Sequence, residues 1–193
     1  MCKSAILERI RKNKPELIPL PDLSVFHHNI SETDLIVDFI RVSTESMSNV
    51  INIMNVKIQL DTYLKEFIAK NYPTATIFYD ALNPKENLDE IDFNTKSIDL
   101  FIAESKLGVA ENGCLWLDES ILKHRISSFA CQHTLLIIEH KNLVPTMHQA
   151  YQKLKIEETG YGVFIAGPSK TADIEQSLVI GAQGAISNTI ILI

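Results

Sequence analysis

Thr134-Leu135-Leu136-Ile137-Ile138 is apolar without interruption from Leu135 onward. A strand that buries one face alternates apolar with polar residues, so an unbroken run of this kind marks a strand covered on both faces, as in a parallel sheet flanked by helices. Upstream, Ile98-Asp99-Leu100-Phe101-Ile102 reads as a second strand, and downstream Gly162-Val163-Phe164-Ile165-Ala166 as another. Short strands are also predicted at Val50 to Met54, Thr74 to Tyr79, Leu178 to Ile180 and Thr189 to Ile193. Helical spacing of apolar residues predicts helices at Lys3 to Lys12, at Asp34 to Met47 behind a Ser31 or Thr33 cap, and at Ile58 to Lys70. A further helix, Met147 to Leu154, is expected to open at Pro145. The segment from Asp80 to Lys96 reads as loop. Within Val109 to Leu117, Asn112-Gly113 is a two-residue hairpin signal. Strands alternating with helices predict an α/β protein: three layers, α/β/α, with a mostly parallel central sheet and one antiparallel hairpin.

The 193 residues fit one domain and are enough to bury a sizeable core. Hydrophobic residues make up 46% and charged residues 22%, the balance of an ordinary globular chain, and the net charge of −6 offers no basic surface for nucleic acid. No run approaches the roughly 18 apolar residues of a membrane span, and Glu8 and Arg9 interrupt what would have to be the core of an export signal. A cytoplasmic location is expected. Cys2, Cys114 and Cys131 stand apart, too few and too scattered for an iron–sulfur cluster or a structural zinc site. No intrinsic cofactor is therefore expected, and any redox centre would belong to a partner.

All seven glycines lie at or after Gly108, which directs the search for a site to the C-terminal half. Gly167-Pro168-Ser169-Lys170-Thr171-Ala172-Asp173-Ile174-Glu175 follows a strand and reads as a turn into a short helix, with Ser169 or Thr171 as its cap. Free N–H groups at a helix start, two hydroxyls and the Lys170 cation suit a phosphate or carboxylate. The plain structural alternative is a capped strand-to-helix turn and nothing more. Gly167 should lie beyond the carboxyl end of its strand, where α/β sheets bind ligands. Gly181-Ala182-Gln183-Gly184 supplies a second turn, but without the G-x-G-x-x-G spacing of a dinucleotide site. Glu111, directly before Asn112-Gly113, is either a solvated hairpin-tip residue or a general base or nucleophile. His27-His28 with Glu32 lacks metal-ligand spacing, and there is no Gly-x-Ser-x-Gly elbow.

Two segments resemble a known family. Residues 99–117, ending in Gly108-Val109-Ala110-Glu111-Asn112-Gly113-Cys114-Leu115-Trp116-Leu117, resemble the A-x-A-E-T-G-[ST]-L-x-L hairpin of the lactate utilisation (LUD) domain, and Gly167 to Glu175 resembles its G-P-S-x-T-A-D-I-E segment. The likeness is greatest to the lactate utilisation protein C group. It implies a fold like those of glucosamine-6-phosphate deaminase, ribose-5-phosphate isomerase and the coenzyme A transferases, with residues 1–30 an N-terminal helix and proline-rich connector and 31–193 the LUD domain. It further implies a clusterless component of a system that oxidises L-lactate to pyruvate, partnered by iron–sulfur subunits. On that reading Gly167, Ser169, Lys170, Thr171, Asp173, Gly181, Gln183 and Gly184 bind a small anionic ligand, with Glu111 at the rim of the same pocket. Ala110-Glu111-Asn112-Gly113 also resembles the Glu-Asn-Gly motif of class I coenzyme A transferases, in which the glutamate is the nucleophile. A stand-alone acyl transferase or sugar-phosphate isomerase using Glu111, or a ligand-sensing module without turnover, are the alternatives, and any of these allows a homo-oligomer. One departure stands out: the family reads Gly-x-His-Gly-Pro where this chain has Gly181-Ala182-Gln183-Gly184-Ala185, exchanging an imidazole for an amide that hydrogen-bonds but does not transfer protons.

Overall fold

The computed structural model describes residues 3–16, 18–19, 21–22, 24–26, 30–56, 59–83, 98–154, 160–174 and 177–193. In chain order the first elements are α1 (Lys3–Lys12), α2 (Glu32–Glu45), β1 (Ser48–Asn52), α3 (Leu60–Asn71), β2 (Phe78–Asp80), β3 (Ile98–Ser105), β4 (Leu107–Val109) and β5 (Cys114–Asp118). They are followed by β6 (Cys131–Ile138), β7 (Leu143–Val144), α4 (Met147–Lys153), β8 (Gly162–Ile165), β9 (Lys170–Ile174), β10 (Ser177–Ile180) and β11 (Ser187–Leu192).

The apolar run is the middle of β6, and β6 is the middle of a five-stranded sheet ordered β1-β11-β6-β3-β2 with every neighbouring pair parallel. Leu135 and Ile137 point to one face and Leu136 and Ile138 to the other, and all four are fully buried. Each such side chain removed from water contributes about 1.5–3 kcal/mol. On one face α3 packs Leu60, Leu64 and Ile68 against Leu100, Ile102, Leu135 and Ile191. The opposite face meets α2 through Leu35, Phe39 and Ile40. Ser31 starts α2 as the sequence predicts, its Oγ accepting from the Asp34 N–H at 3.1 Å.

A second sheet, ordered β7-β4-β5-β8, shares α2's side and contains the predicted hairpin as antiparallel β4 and β5. Val109 pairs with Cys114, so the connection is the four residues 110–113 and not a two-residue turn. Two contacts lengthen it. Gly113 takes a left-handed φ of 64°, with the Ser43 backbone 2.7 Å from where a Cβ would sit, and Asn112 Oδ1 accepts from the Cys114 N–H. Helix α4 packs Met147 and Ala150, and its C-terminal cap Leu154, onto Val109, Trp116 and Phe164. It begins at Met147 as predicted and ends one residue earlier, at Lys153, with Thr146 as its cap and Pro145 just outside.

The segment after Gly167 differs from expectation. It is not a helix: β9 and β10 form an antiparallel ribbon of their own, so 177–180 does not join the main sheet. A five-residue helix would close about one turn of hydrogen bonds and remain unfavourable, whereas the ribbon pairs its backbone directly and suits β-branched Thr171. Helix α1 occupies its predicted span, yet none of its residues is buried. The predicted helix start at Ile58, the loop from 84 to 97, His27, His28 and Cys2 lie outside the described residues.

Candidate functional site

The Gly167 turn borders a cavity of about 320 Å³ at the amino ends of β6 and β11. Relative to β8 it lies at a carboxyl end, as the sequence suggests, but β8 belongs to the second sheet. The turn sits on the end of α2. Gly167 has a φ of 72°, and a Cβ there would fall 2.0 Å from the Ser46 carbonyl oxygen. Lys170 Nζ donates to the same oxygen at 2.7 Å, a cation at the negative end of a helix. The two glycine-bearing turns are tied together by the Ser169 N–H to the Ala185 carbonyl (2.8 Å) and the Gly181 N–H to the Ser169 carbonyl (2.9 Å). Behind them runs a polar row across three strands. Thr134 Oγ1 donates to Asn188 Oδ1 at 2.6 Å, and Asn188 Nδ2 donates to Ser48 Oγ at 2.8 Å. These residues are register neighbours on β6, β11 and β1, so the row fixes Thr134 at the cavity wall.

Of the residues singled out in the sequence, Gly167, Ser169, Lys170, Gln183 and Gly184 line this cavity together. Thr171 and Gly181 lie beside it without lining it, and Asp173 belongs to β9 with its side chain outside what is described. Glu111 is not at its rim. It borders a different cavity of about 400 Å³, with Asp38, Arg41, Pro145 and Thr146. There its Oε2 accepts from the Met147 N–H at 2.8 Å, anchoring the start of α4. A carboxylate at a helix N-terminus is favourable by about 0.3–1 kcal/mol. A third cavity, of about 600 Å³, opens near the carboxyl ends of β2 and β3 and holds Asp61, Glu104 and Lys106, the last paired with Asp118 at 3.2 Å.

Charge separates the three. Lys170 is the only charged residue among those described around the Gly167 cavity, whereas the other two cavities are lined by carboxylates as well as a cation. Ser128, Phe129 and Thr134 line it too, and the sequence reading passed over them. Thr134 carried a signal: it is the one polar residue at the head of the apolar run. Among the described residues no group of three or more His, Cys, Asp or Glu is placed to hold a metal. Burial pushes the thiols of Cys114 and Cys131 up to about 12, so neither supplies a thiolate near neutral pH. No helix among the described residues is long and apolar enough to cross a membrane.

Residues 23–193 match the family model of the LUD domain. The chain belongs to the LUD-domain family. Its LUD domain is similar to lactate utilization protein C 1 of Bacillus mycoides (strain KBAB4), 32% identical over 111 residues that cover 54% of this chain and 47% of that protein. It is also similar to lactate utilization protein C of Geobacillus sp. (strain WCH70), 29% identical over 145 residues covering 70% and 58%. The namesake from Bacillus subtilis (strain 168) is 29% identical over 140 residues, covering 67% and 56%. The chain thus spans about half the length of the curated relatives it matches. In fold, the LUD domain matches a DUF162 family protein from Deinococcus radiodurans with a TM-score of 0.61 at 9% identity, covering 85% of this chain and 99% of that one.

Proposed function

We propose that this LUD domain is a cytoplasmic component of a lactate utilisation system that oxidises L-lactate to pyruvate, and that it binds a small anion in the Gly167 cavity while iron–sulfur partners carry the electrons. The names of its relatives support the system, and one observation supports the ligand class: Lys170 is the sole charged residue among the described lining. One of the three N–H bonds of its ammonium is spent on the Ser46 carbonyl, and the others are available to an oxyanion. Ser169 and the amide of Gln183 supply neutral hydrogen-bonding groups. A hydroxyl and an amide hold an oxyanion by hydrogen bonds, which suits recognition.

Calorimetric titration with L-lactate, pyruvate and inorganic phosphate tests the ligand. At least one should bind the parent protein, and Lys170→Met should weaken it by about ten- to a hundredfold, the loss of a charge-assisted hydrogen bond. Absence of binding to all three would remove the anion reading. The system is tested separately, by native purification from lactate-grown cells. Recovery of this chain without any iron–sulfur protein would remove the proposed partnership.

A further inference from the structure

Ser128 is 4% exposed, lines the Gly167 cavity, and its Oγ is buried with no hydrogen-bond partner among the described residues. A buried hydroxyl is ordinarily paired, and an orphan costs stability that a plain alanine at the same place would not. The backbone around it is held by other hydrogen bonds. The Ile126 carbonyl accepts from the N–H groups of both Phe129 and Ala130, and the Ser128 carbonyl accepts from Cys131 Sγ, so the turn is held by groups other than this hydroxyl. The same turn is brought against the anion-binding residues. A Cβ on Gly184 would stand 3.3 Å from the Ser169 Cβ and 3.6 Å from the Phe129 carbonyl oxygen, so only a glycine's width separates them.

We propose that Ser128 is a ligand-contacting residue of this cavity, its hydroxyl turning about χ1 to donate to the oxyanion that Lys170 attracts. A serine hydroxyl has three staggered positions about χ1, so it changes its aim by side-chain rotation. The inference rests on the reading of the Gly167 cavity as an anion site, and it makes that site a three-sided one: a cation from the Gly167 turn, Ser169 beside it, and the Ser128 hydroxyl from the turn before β6.

The test pairs two measurements on full-length Ser128→Ala, with Lys170→Met as comparator. Without added anion, the thermal midpoint of Ser128→Ala should equal or exceed the parent's, because removal of an orphan hydroxyl leaves nothing unpaired. With added L-lactate, pyruvate or inorganic phosphate, its dissociation constant should be roughly five- to fiftyfold weaker for whichever anion the parent binds. Weakening for only one of the three anions supports the contact and identifies its ligand. A parent-like constant in Ser128→Ala, with binding lost in Lys170→Met, overturns the role of Ser128 and leaves the cavity reading standing. A midpoint lowered by several degrees also overturns it, since the hydroxyl then holds the fold together. A parent protein that binds none of the three anions removes both readings.

Discussion

Asp99 gathers two backbone N–H groups and a hydroxyl onto one carboxylate oxygen. Its Oδ2 accepts from the Thr76 N–H at 2.7 Å, the Ile77 N–H at 2.9 Å and the Thr76 hydroxyl at 3.1 Å, which ties the approach to β2 onto β3. The Thr76 N–H, followed by that of Ile77, holds the carboxyl below its ordinary pKa of 3.8. Since the folded pKa lies under the unfolded one, the stabilisation is complete above the unfolded value and is lost as pH falls through the folded one. Asp99→Asn should therefore cost about 1–2 kcal/mol at pH 7 in denaturant melts, and the gap to the parent should close as pH drops below 3.8. A gap independent of pH would mean that packing and not charge makes this contact. Asp99 illustrates what single residues hide in a sequence. Its place in a strand was legible from its apolar neighbours, but its partners come from a segment 22 and 23 positions away. Ser128 was hidden for the same reason, because Ile126-Ser127-Ser128-Phe129 has no spacing that marks a cavity.

Among the elements, helices were legible where a cap and a stripe agreed. Ser31 and the stripe from Leu35 to Ile40 set α2 within a residue or two, and Lys3–Lys12 coincided with its pattern. Ends that depend on tertiary contact were not legible. Met47, just beyond the Ser46 cap of α2, takes a left-handed φ of 70°, a conformation that nothing in the sequence announces at a methionine. Met47 is exposed, so its side chain contributes little to set against that strain. Met47→Gly should accordingly stabilise the protein by about 0.5–1 kcal/mol, read as an upward shift of the unfolding midpoint. A lower midpoint would show that the methionine side chain packs more usefully than its exposure suggests. The Gly167 segment failed in the other direction. Gly-Pro followed by hydroxyl residues is a fair helix-start signal, and it was overruled because 177–180 pairs with 170–174. Five of the eight residues singled out as ligand-binding in the sequence line one cavity in spite of that difference.

At the scale of the whole molecule, the alternation of strands and helices was enough to give a parallel sheet clothed on both faces. The distribution of cavities was not. Glu111 and Gly167 both flank turns, and both turns meet the C-terminal end of α2, at Ser43 and Ser46, but Glu111 reaches to the start of α4 while Lys170 of the Gly167 turn reaches to the Ser46 carbonyl, so the two motifs of the sequence resemblance border separate cavities. Helix α1 stands outside this economy altogether: it has no buried residue and precedes the family match at residue 23. Removal of residues 1–14 should leave the circular dichroism of the remainder intact and move the thermal midpoint by less than about 2 °C. A larger fall would reveal that the helix docks on the domain. The order β1-β11-β6-β3-β2 has one more effect, on synthesis. Ser48 on β1 meets Asn188 on β11 across 140 positions of chain, so at roughly 5–20 residues per second a ribosome leaves β1 without its neighbour for on the order of ten seconds. During that interval the nascent chain carries an open strand edge, and it is a client for any chaperone waiting at the exit tunnel.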